Sequence, residues 1–352
     1  MALKGELQGY LREILDLANL RRLSTAFSIG STVKPSFNAH YYFSPIREIS
    51  GTILGGAIVY SEKHAIEIAK VVDGSVDCVL VDSEKKIPSE RGDTGVIPNI
   101  ERRVSEQIKE SKLSLFKGND LTVDAIDSLI SHLNKDELGG VGRKNVTILG
   151  AGNIGAKLAL KLVERGAEVR LTGRNQEKLQ QVALAINLIK PSATVAVVTP
   201  LANNDQASIG ADILVGATNG IPVISAEIVK KVKEGAIIID VGKGTLTDDG
   251  VELARKRNLK IFRLDIKSSL AGLIAMQSMT EQMADLEMGR RQVGQYQLVS
   301  GLVGYKGEVV VDNIAEPAHV YGIADGKGDF LVNISRKEKK NLLNMILRDS
   351  HG

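Results

Sequence analysis

The sequence predicts an α/β fold in two domains: an N-terminal α/β substrate domain, followed by a doubly wound parallel-sheet domain. Two observations predict it. Short apolar runs alternate with helix-period segments along the chain, the rhythm of a parallel sheet. And Asn145 to Lys157 reads NVTILGAGNIGAK, an apolar run, a glycine turn and the opening of an apolar-periodic segment.

Taken in order, Leu7 to Leu20 carries Leu7, Leu11, Ile14, Leu15, Leu17 and Leu20 at helical spacing, the pattern of an amphipathic helix. Phe27, Ile29 and Val33 suggest a strand that Pro35 interrupts. Gly51 to Tyr60 reads as a buried strand, His64 to Val72 as a helix and Val76 to Val81 as a strand, which makes one parallel β-α-β unit. The polar stretch Ser83 to Asn99 reads as a surface loop, with Glu84-Lys85-Lys86 on a solvated face. An exposed helix over Ile100 to Ser111, a strand over Leu113 to Phe116 and a helix over Thr122 to Leu133 complete the first domain, residues 1–140. Residues 141–270 carry strands at Asn145–Gly150, Glu168–Gly173, Thr194–Thr199, Asp212–Thr218, Ala236–Gly242 and Lys260–Asp265, each separated by a helix or polar crossover. Right-handed crossovers then give the strand order 3-2-1-4-5-6. Residues 271–352 begin with a helix over Leu273 to Arg290, whose methionines are expected to serve as adaptable packing. A small β-rich extension and a closing helix over Lys337 to Leu347 follow.

Composition excludes several classes. Apolar residues make up 43% and charged residues 25%, as in a globular protein, and a net charge of +3 with 4% aromatics gives nucleic acid neither a basic field nor a stacking platform. The single cysteine, Cys78, permits no intrachain disulfide or cysteine metal cluster and is expected to be a buried strand residue. No His/Asp/Glu spacing suggests a metal site. The N-terminal stretch lacks the apolar core of a signal peptide, and no apolar run approaches a membrane span, so a cytoplasmic location is expected.

The glycine turn carries the first chemistry. In Gly150-Ala151-Gly152-Asn153-Ile154-Gly155, Gly150 permits the turn, Gly152 lets a pyrophosphate approach the backbone, and Gly155 lets helix and strand pack closely. The helix N-terminus opening at Asn153 and Ile154 then faces the phosphates. This is the Rossmann signature of a dinucleotide site. An NAD site places an acid at the end of the second strand; here Thr172-Gly173-Arg174-Asn175 stands there instead. Arg174 can hold a 2′-phosphate, so NADP is expected over NAD, with Asn175 capping the next helix. Thr218, Asn219 and Gly242, at the ends of the fourth and fifth strands, are expected beside the ribose and nicotinamide.

With these residues in view, the chain resembles the shikimate/quinate dehydrogenase group, within the amino-acid-dehydrogenase-like family that includes methylene-tetrahydrofolate dehydrogenase. The similarity runs from about Leu113 to Arg290. Thr172–Asn175 stands where that group carries an Asn-Arg-Thr signature for NADP, and Ala211–Thr218 resembles its fourth strand. Asp240-Val241 with Thr247 resembles its Asp…Thr-Pro segment. Gly272-Leu273…Met276-Gln277 resembles a segment whose glutamine touches substrate, which implies that role for Gln277; Gly118 to Asp124 resembles Asn-Thr-Asp-Gly, which implies that Asp124 is the catalytic aspartate's counterpart. The Ser-x-Ser and Thr-x-Pro-x-Lys motifs are absent, and the tail after Arg290 is foreign to a minimal member.

Hydride transfer at a C–OH or C–N carbon needs a group that carries the proton. The resemblance implies a lysine near an aspartate, and three lysines qualify: Lys63, three residues after Tyr60 as in the folate enzymes' Tyr/Lys pair, then Lys34 and Lys117. His40 is a substrate-binding or acid–base alternative, and His319 a weaker one. The expected activity is an NADP-dependent oxidoreductase acting on a small polar hydroxy/oxo or amine/imine substrate held between the domains. A methylene-tetrahydropterin dehydrogenase and a non-catalytic NADPH-binding sensor or scaffold are the alternatives. The expected partner is a small-molecule substrate, with neither nucleic acid nor membrane, and a homodimer is left open.

Overall fold

The computed structural model describes residues 2–32, 41–87, 99–331 and 334–350. The chain divides into two compact units, Met1–Ala271 and Gly272–Gly352. The first unit contains two sheets.

Helix α1 (Ala2–Arg21) buries Leu7, Leu11 and Ile14 of the predicted stripe, together with Ala18, while Leu15 and Leu17 are only partly buried and Leu20, at the helix end, is exposed. Strands β1 (Ser24–Ser31), β2 (Tyr41–Phe43), β3 (Arg47–Ile49) and β4 (Thr52–Val59) follow, then α2 (Glu62–Val72), β5 (Cys78–Asp82), α3 (Ile100–Ser105) and β6 (Lys112–Phe116). The sheet runs β2-β4-β1-β5-β6, with β3 also on β4. Strands β4, β1, β5 and β6 are parallel, while β2 and β3 pair antiparallel with the outer edge of β4. Glycine at 55 is required because a Cβ there would overlap Ile14 and Tyr10 of α1. Next to it, the Tyr10 hydroxyl accepts from the Gly56 N–H at 3.0 Å and donates to the Ser44 carbonyl at 2.7 Å. Burial of that hydroxyl raises its pKa above the usual phenol value.

Three expectations change here. The two short antiparallel strands have no counterpart in the sequence pattern. The helix at Ile100 stops at Ser105, because the Asp73 carboxylate collects the N–H groups of Lys109, Glu110 and Ser111 at 2.9–3.0 Å and turns the chain into β6; its Ile100 and Val104 are buried. Cys78, at the start of β5, is only partly buried.

Helix α4 (Gly118–Leu133) leaves the first sheet but sends Val123, Ile126 and Ile130 into the core of the second. The second sheet is built from β7 (Asn145–Leu149), α5 (Asn153–Glu164), β8 (Glu168–Thr172), α6 (Gln176–Ile189), β9 (Val198–Pro200), α7 (Asn204–Ser208) and β10 (Ile213–Gly216). It continues through α8 (Ala226–Lys231), β11 (Ile237–Asp240), α9 (Asp248–Lys256) and β12 (Lys260–Arg263). The order β12-β11-β10-β7-β8-β9, all parallel, is the doubly wound order expected. Only β9 departs much from its predicted span: it starts at Val198 because the Asn187 amide accepts the Val198 N–H at 2.9 Å and donates to the Val198 carbonyl at 2.8 Å. Those bonds occupy backbone groups that would otherwise stay unpaired at the sheet edge.

Helix α10 (Lys267–Gln282) ends in a π turn over Met283–Glu287, short of Arg290. Gly289, with φ +129°, instead opens strand β13 (Gly289–Val293). Met276 and Met279 are 61% and 65% exposed, where packing is expected. The second unit's sheet is β13-β14-β15-β16, with β14 (Tyr296–Ser300), β15 (Val309–Val311) and β16 (Val320–Ile323), against which α11 (Arg336–Ser350) buries Ile346. Phe330 to Ile334 reads as strand-like in sequence, but only a single bridge from Phe330 to Ala324 is present among its described residues.

Candidate dinucleotide site

A cleft of about 700 Å³ opens at the carboxyl ends of the second sheet's strands. Its floor is the glycine turn. A Cβ on Gly150 would overlap the Ala217 carbonyl, so the turn lies directly against the end of β10, where the strand order reverses. Gly155 is equally confined, because its Cβ would overlap the Gly150 carbonyl oxygen. Gly152 is different: a Cβ there would meet nothing within 4 Å. It is the N-cap of α5, in an extended conformation with φ −81°, and its missing side chain leaves the first N–H groups of α5 facing open space. Asn153, Ile154 and Gly155 form that first turn.

One wall comes from the end of β8. The Asn175 side chain accepts the Lys178 N–H at 2.9 Å and caps α6, while the Gln176 amide donates to the Gly173 carbonyl at 2.8 Å. Thr172, Gly173, Arg174 and Lys178 line the cleft here, and the Arg174 side chain has no ion pair or hydrogen bond among the described residues. The facing wall comes from Ala202 to Asp205 beyond β9. Its one acid, Asp205, is paired with Lys231 at 2.5 Å. The third wall is the end of β10. The Thr218 hydroxyl donates to the Ile221 carbonyl at 2.6 Å, and Asn219 and Gly220 both take positive φ, +52° and +76°. Gly242 supports this turn from below; a Cβ would stand 2.7 Å from the Gly220 nitrogen.

Behind Gly242, Asp240 is buried at the end of β11. Burial alone would raise its carboxyl. Hydrogen bonds from the Gly244 N–H at 3.0 Å, the Thr245 hydroxyl at 2.8 Å and the Arg263 guanidinium at 3.2 Å outweigh it and hold the group below its ordinary value. This network fixes the turn after β11.

Of the sequence-predicted residues, Gly150, Gly152, Thr172, Arg174, Asn175, Thr218 and Asn219 line the one cleft. The predicted proton carriers do not. Lys63 is exposed near the start of α2, and Tyr60 lies ahead of the N-cap Ser61, so the two do not share a helical turn. Lys117 is exposed just before α4. Asp124 faces Lys161 of α5 at 3.0 Å, and that hydrogen bond raises the lysine's pKa. Gln277 is in α10, within the second unit. Lys34 and His40 lie outside the described residues. No cluster of three or more metal-ligating side chains exists among the described residues. Nor is any helix among them long and apolar enough to cross a membrane.

Sequence reasoning missed two groups. Lys178 and the Asn203-Asn204-Asp205 segment line the cleft; a polar triple soon after the third strand was the available signal. The second group is in Glu84-Lys85-Lys86. Lys86 and Glu84 are not on a solvated face: their side chains are 16% and 13% exposed, and the Lys86 ammonium lies 2.7 Å from Glu84 and 2.8 Å from the buried Asp82.

Residues 145–244 match the family described as NADP oxidoreductase, coenzyme F420-dependent, and the second sheet is an NAD(P)-binding Rossmann domain. No curated protein matches the chain. Among solved structures, it is similar to shikimate 5-dehydrogenase from Thermus thermophilus, in complex with NADP(H) and shikimate, at 14% identity over 73% of this chain and 93% of that one, with a TM-score of 0.42. A dipicolinate synthase chain from Bacillus halodurans gives 14% identity over 74% and 98%, with a TM-score of 0.38. L-tryptophan dehydrogenase from Nostoc punctiforme gives 12% over 72% of each chain, at 0.42.

Proposed function

We infer that the protein is an NADP-dependent oxidoreductase acting on a small polar hydroxy/oxo or amine/imine substrate. The observation that carries this reading is the cleft itself. A phosphate-binding turn with open space over Gly152 stands beside a strand end that presents Arg174 and Lys178 and no acid. The turn fits a pyrophosphate, because a side chain at 152 would fill the space that the N–H groups of α5 face. The strand end fits a ribose 2′-phosphate, which two cations attract and an acid would repel. When bound, the dinucleotide supplies the hydride donor or acceptor. The chain's own residues hold and orient it: the α5 N-terminus at the pyrophosphate, Arg174 and Lys178 at the 2′-phosphate, and the Thr218-Asn219 turn at the far end of the cleft. Asp240 acts only through that turn, by fixing the segment on which Gly242 rests.

Titration with NADPH and NADH, followed by nicotinamide fluorescence, tests the reading. Arg174→Ala should weaken NADPH by about 10- to 100-fold, the loss of one charge-assisted contact of about 1.5–3 kcal/mol, and leave NADH within about twofold. Equal losses for both would remove Arg174 as the selector. Failure of the wild-type protein to bind either dinucleotide would overturn the reading as a whole.

A further inference from the structure

The first sheet has a topological switch point of its own. In the order β4-β1-β5-β6, the chain leaves β1 to one side for β4, then returns to the other side for β5. Between β1 and β5 the order reverses, and in open α/β sheets ligands lie outside the carboxyl ends of the strands at such a point. The last residues of those two strands are Ser31 and Asp82. They meet: one Asp82 oxygen accepts from the Ser31 N–H and hydroxyl, both at 3.4 Å, and from the Lys86 ammonium at 2.8 Å. The other oxygen accepts from the Glu84 N–H at 3.1 Å and the Gly118 N–H at 3.4 Å. Lys86 is thus held between two carboxylates at the switch point of the sheet, with its side chain still 16% exposed. Gly118 leaves room for the ammonium, since a Cβ there would stand 2.9 Å from its nitrogen.

This group is also tied to the dinucleotide domain. Glu84, which binds Lys86 through one oxygen, has its other oxygen 3.9 Å from Lys157 of α5, and Lys157 also pairs with Asp120 of α4. Lys157 lies one turn into the helix whose N-terminus is the phosphate-binding turn. Two ion-pair steps therefore connect Lys86 to that helix.

We propose that Lys86 is the acid–base group of the reaction, acting at the switch point of the first sheet. The proposal rests on the oxidoreductase reading above. Reduction of a carbonyl or imine leaves its oxygen or nitrogen in need of a proton. Lys86 supplies it: one N–H bond of the ammonium breaks, an O–H or N–H bond forms on the substrate, and the neutral amine left behind recovers a proton from water. In the oxidative direction the neutral amine takes the proton from the hydroxyl or amine. Asp82 and Glu84 orient the amine, and Ser31 orients Asp82.

The first test uses wild-type full-length protein, so its outcome does not depend on a variant folding. Trace acetylation with acetic anhydride, read lysine by lysine in peptide mass spectra, is run with and without saturating NADPH, whose binding is followed separately by fluorescence. Lys86 should acetylate in the folded protein, and NADPH should slow it at least threefold while exposed Lys63 stays unchanged. NADPH binding with no change at Lys86, or a Lys86 that is inert in the folded protein, overturns the assignment alone. Absence of NADPH binding overturns the oxidoreductase reading and the assignment with it. For any carbonyl or imine compound that the wild type reduces, Lys86→Gln should bind NADPH within twofold of wild type and lose turnover by about 100-fold or more. Turnover within threefold of wild type would sink the assignment.

Discussion

Gly152 and Gly155, at the cap and in the first turn of one helix, read alike in sequence, yet they should fail in different ways. Gly152 has empty space where its side chain would be, and its φ of −81° suits any residue. Gly152→Val therefore changes only an N-cap, a cost of up to about 1 kcal/mol, which lowers Tm by about 2–4 °C in a unit of this size. The same side chain blocks the N–H groups that would bind a pyrophosphate. Losing about two charge-assisted hydrogen bonds removes about 3 kcal/mol or more, so the NADPH dissociation constant should rise by about 100-fold or more. Gly155→Ala is the converse. Its Cβ overlaps the Gly150 carbonyl oxygen, and backbone must move to make room. Overpacking of that kind costs about 1–3 kcal/mol, a drop of about 4–8 °C near the middle of the range, with affinity falling only as far as the turn is displaced. Calorimetry and fluorescence titration on both variants separate the cases. Near-wild-type NADPH affinity in Gly152→Val would refute the argument that this turn holds phosphate, whatever the stability of either protein.

Further outcomes follow from the same structure. Asp240→Ala should destabilise the first unit by about 2–4 kcal/mol, because it leaves the Thr245 hydroxyl and the Gly244 and Thr245 N–H groups without their shared acceptor; denaturant unfolding measures this. Since the folded carboxyl is held below the ordinary aspartate value, its contribution is complete above that ordinary value and is lost as pH falls through the lower folded value. Unfolding midpoints measured from about pH 6 to pH 2 should accordingly fall more steeply for wild type than for Asp240→Ala, and parallel curves would contradict the assignment of that carboxylate. Lys161→Ala, which removes a partly exposed pair to Asp124, should cost under about 1 kcal/mol in the same assay. In the second unit, Arg290→Met strips the nearly buried Glu308 of its 2.9 Å partner, and hydrogen exchange in β13 to β15 should rise by about tenfold or more.

The centre of the second domain's sheet was legible because its strands there are short runs of branched apolar residues. Ile213-Leu214-Val215-Gly216 and Ile237-Ile238-Ile239-Asp240 are examples, and a strand buried on both faces needs such a run. The cofactor turn was legible in part because one of its constraints, Gly155 against the Gly150 carbonyl, joins residues only five apart, whereas the contact of Gly150 with Ala217 leaves no local trace. The first domain was harder. Strands β2 and β3 are three residues each, too short to show a period, and they exist only because the edge of β4 is free to pair with them. Helix α10 reads as longer in sequence because Met283 to Met288 keeps an apolar rhythm through a π turn, and Gly289's positive φ, which ends it, leaves no mark that distinguishes it from an ordinary glycine.

Lys86 shows why a proton carrier is the last thing a sequence yields. Lysine followed by lysine in a polar stretch has the composition of a solvated face, and Lys85 behaves that way, reaching across the surface to Glu101 at 3.0 Å. One residue on, the chain brings Lys86 back over the end of β5 to Asp82, four positions earlier, and to Gly118 at the start of α4. Neither contact has a periodicity to reveal it. Strand order is what places the group: Ser31 and Asp82 become neighbours only because β4 and β5 lie on opposite sides of β1. The second sheet repeats the logic at Gly150 and Ala217, between β7 and β10. Each sheet of the unit thus has one reversal, and the Glu84–Lys157 contact joins the residues at the first to the helix that starts at the second. A reaction that moves a hydride and a proton to neighbouring atoms needs its two donors on one side of the molecule, and that contact is the physical reason to look for the proton carrier at Lys86 before the exposed Lys63 or Lys117.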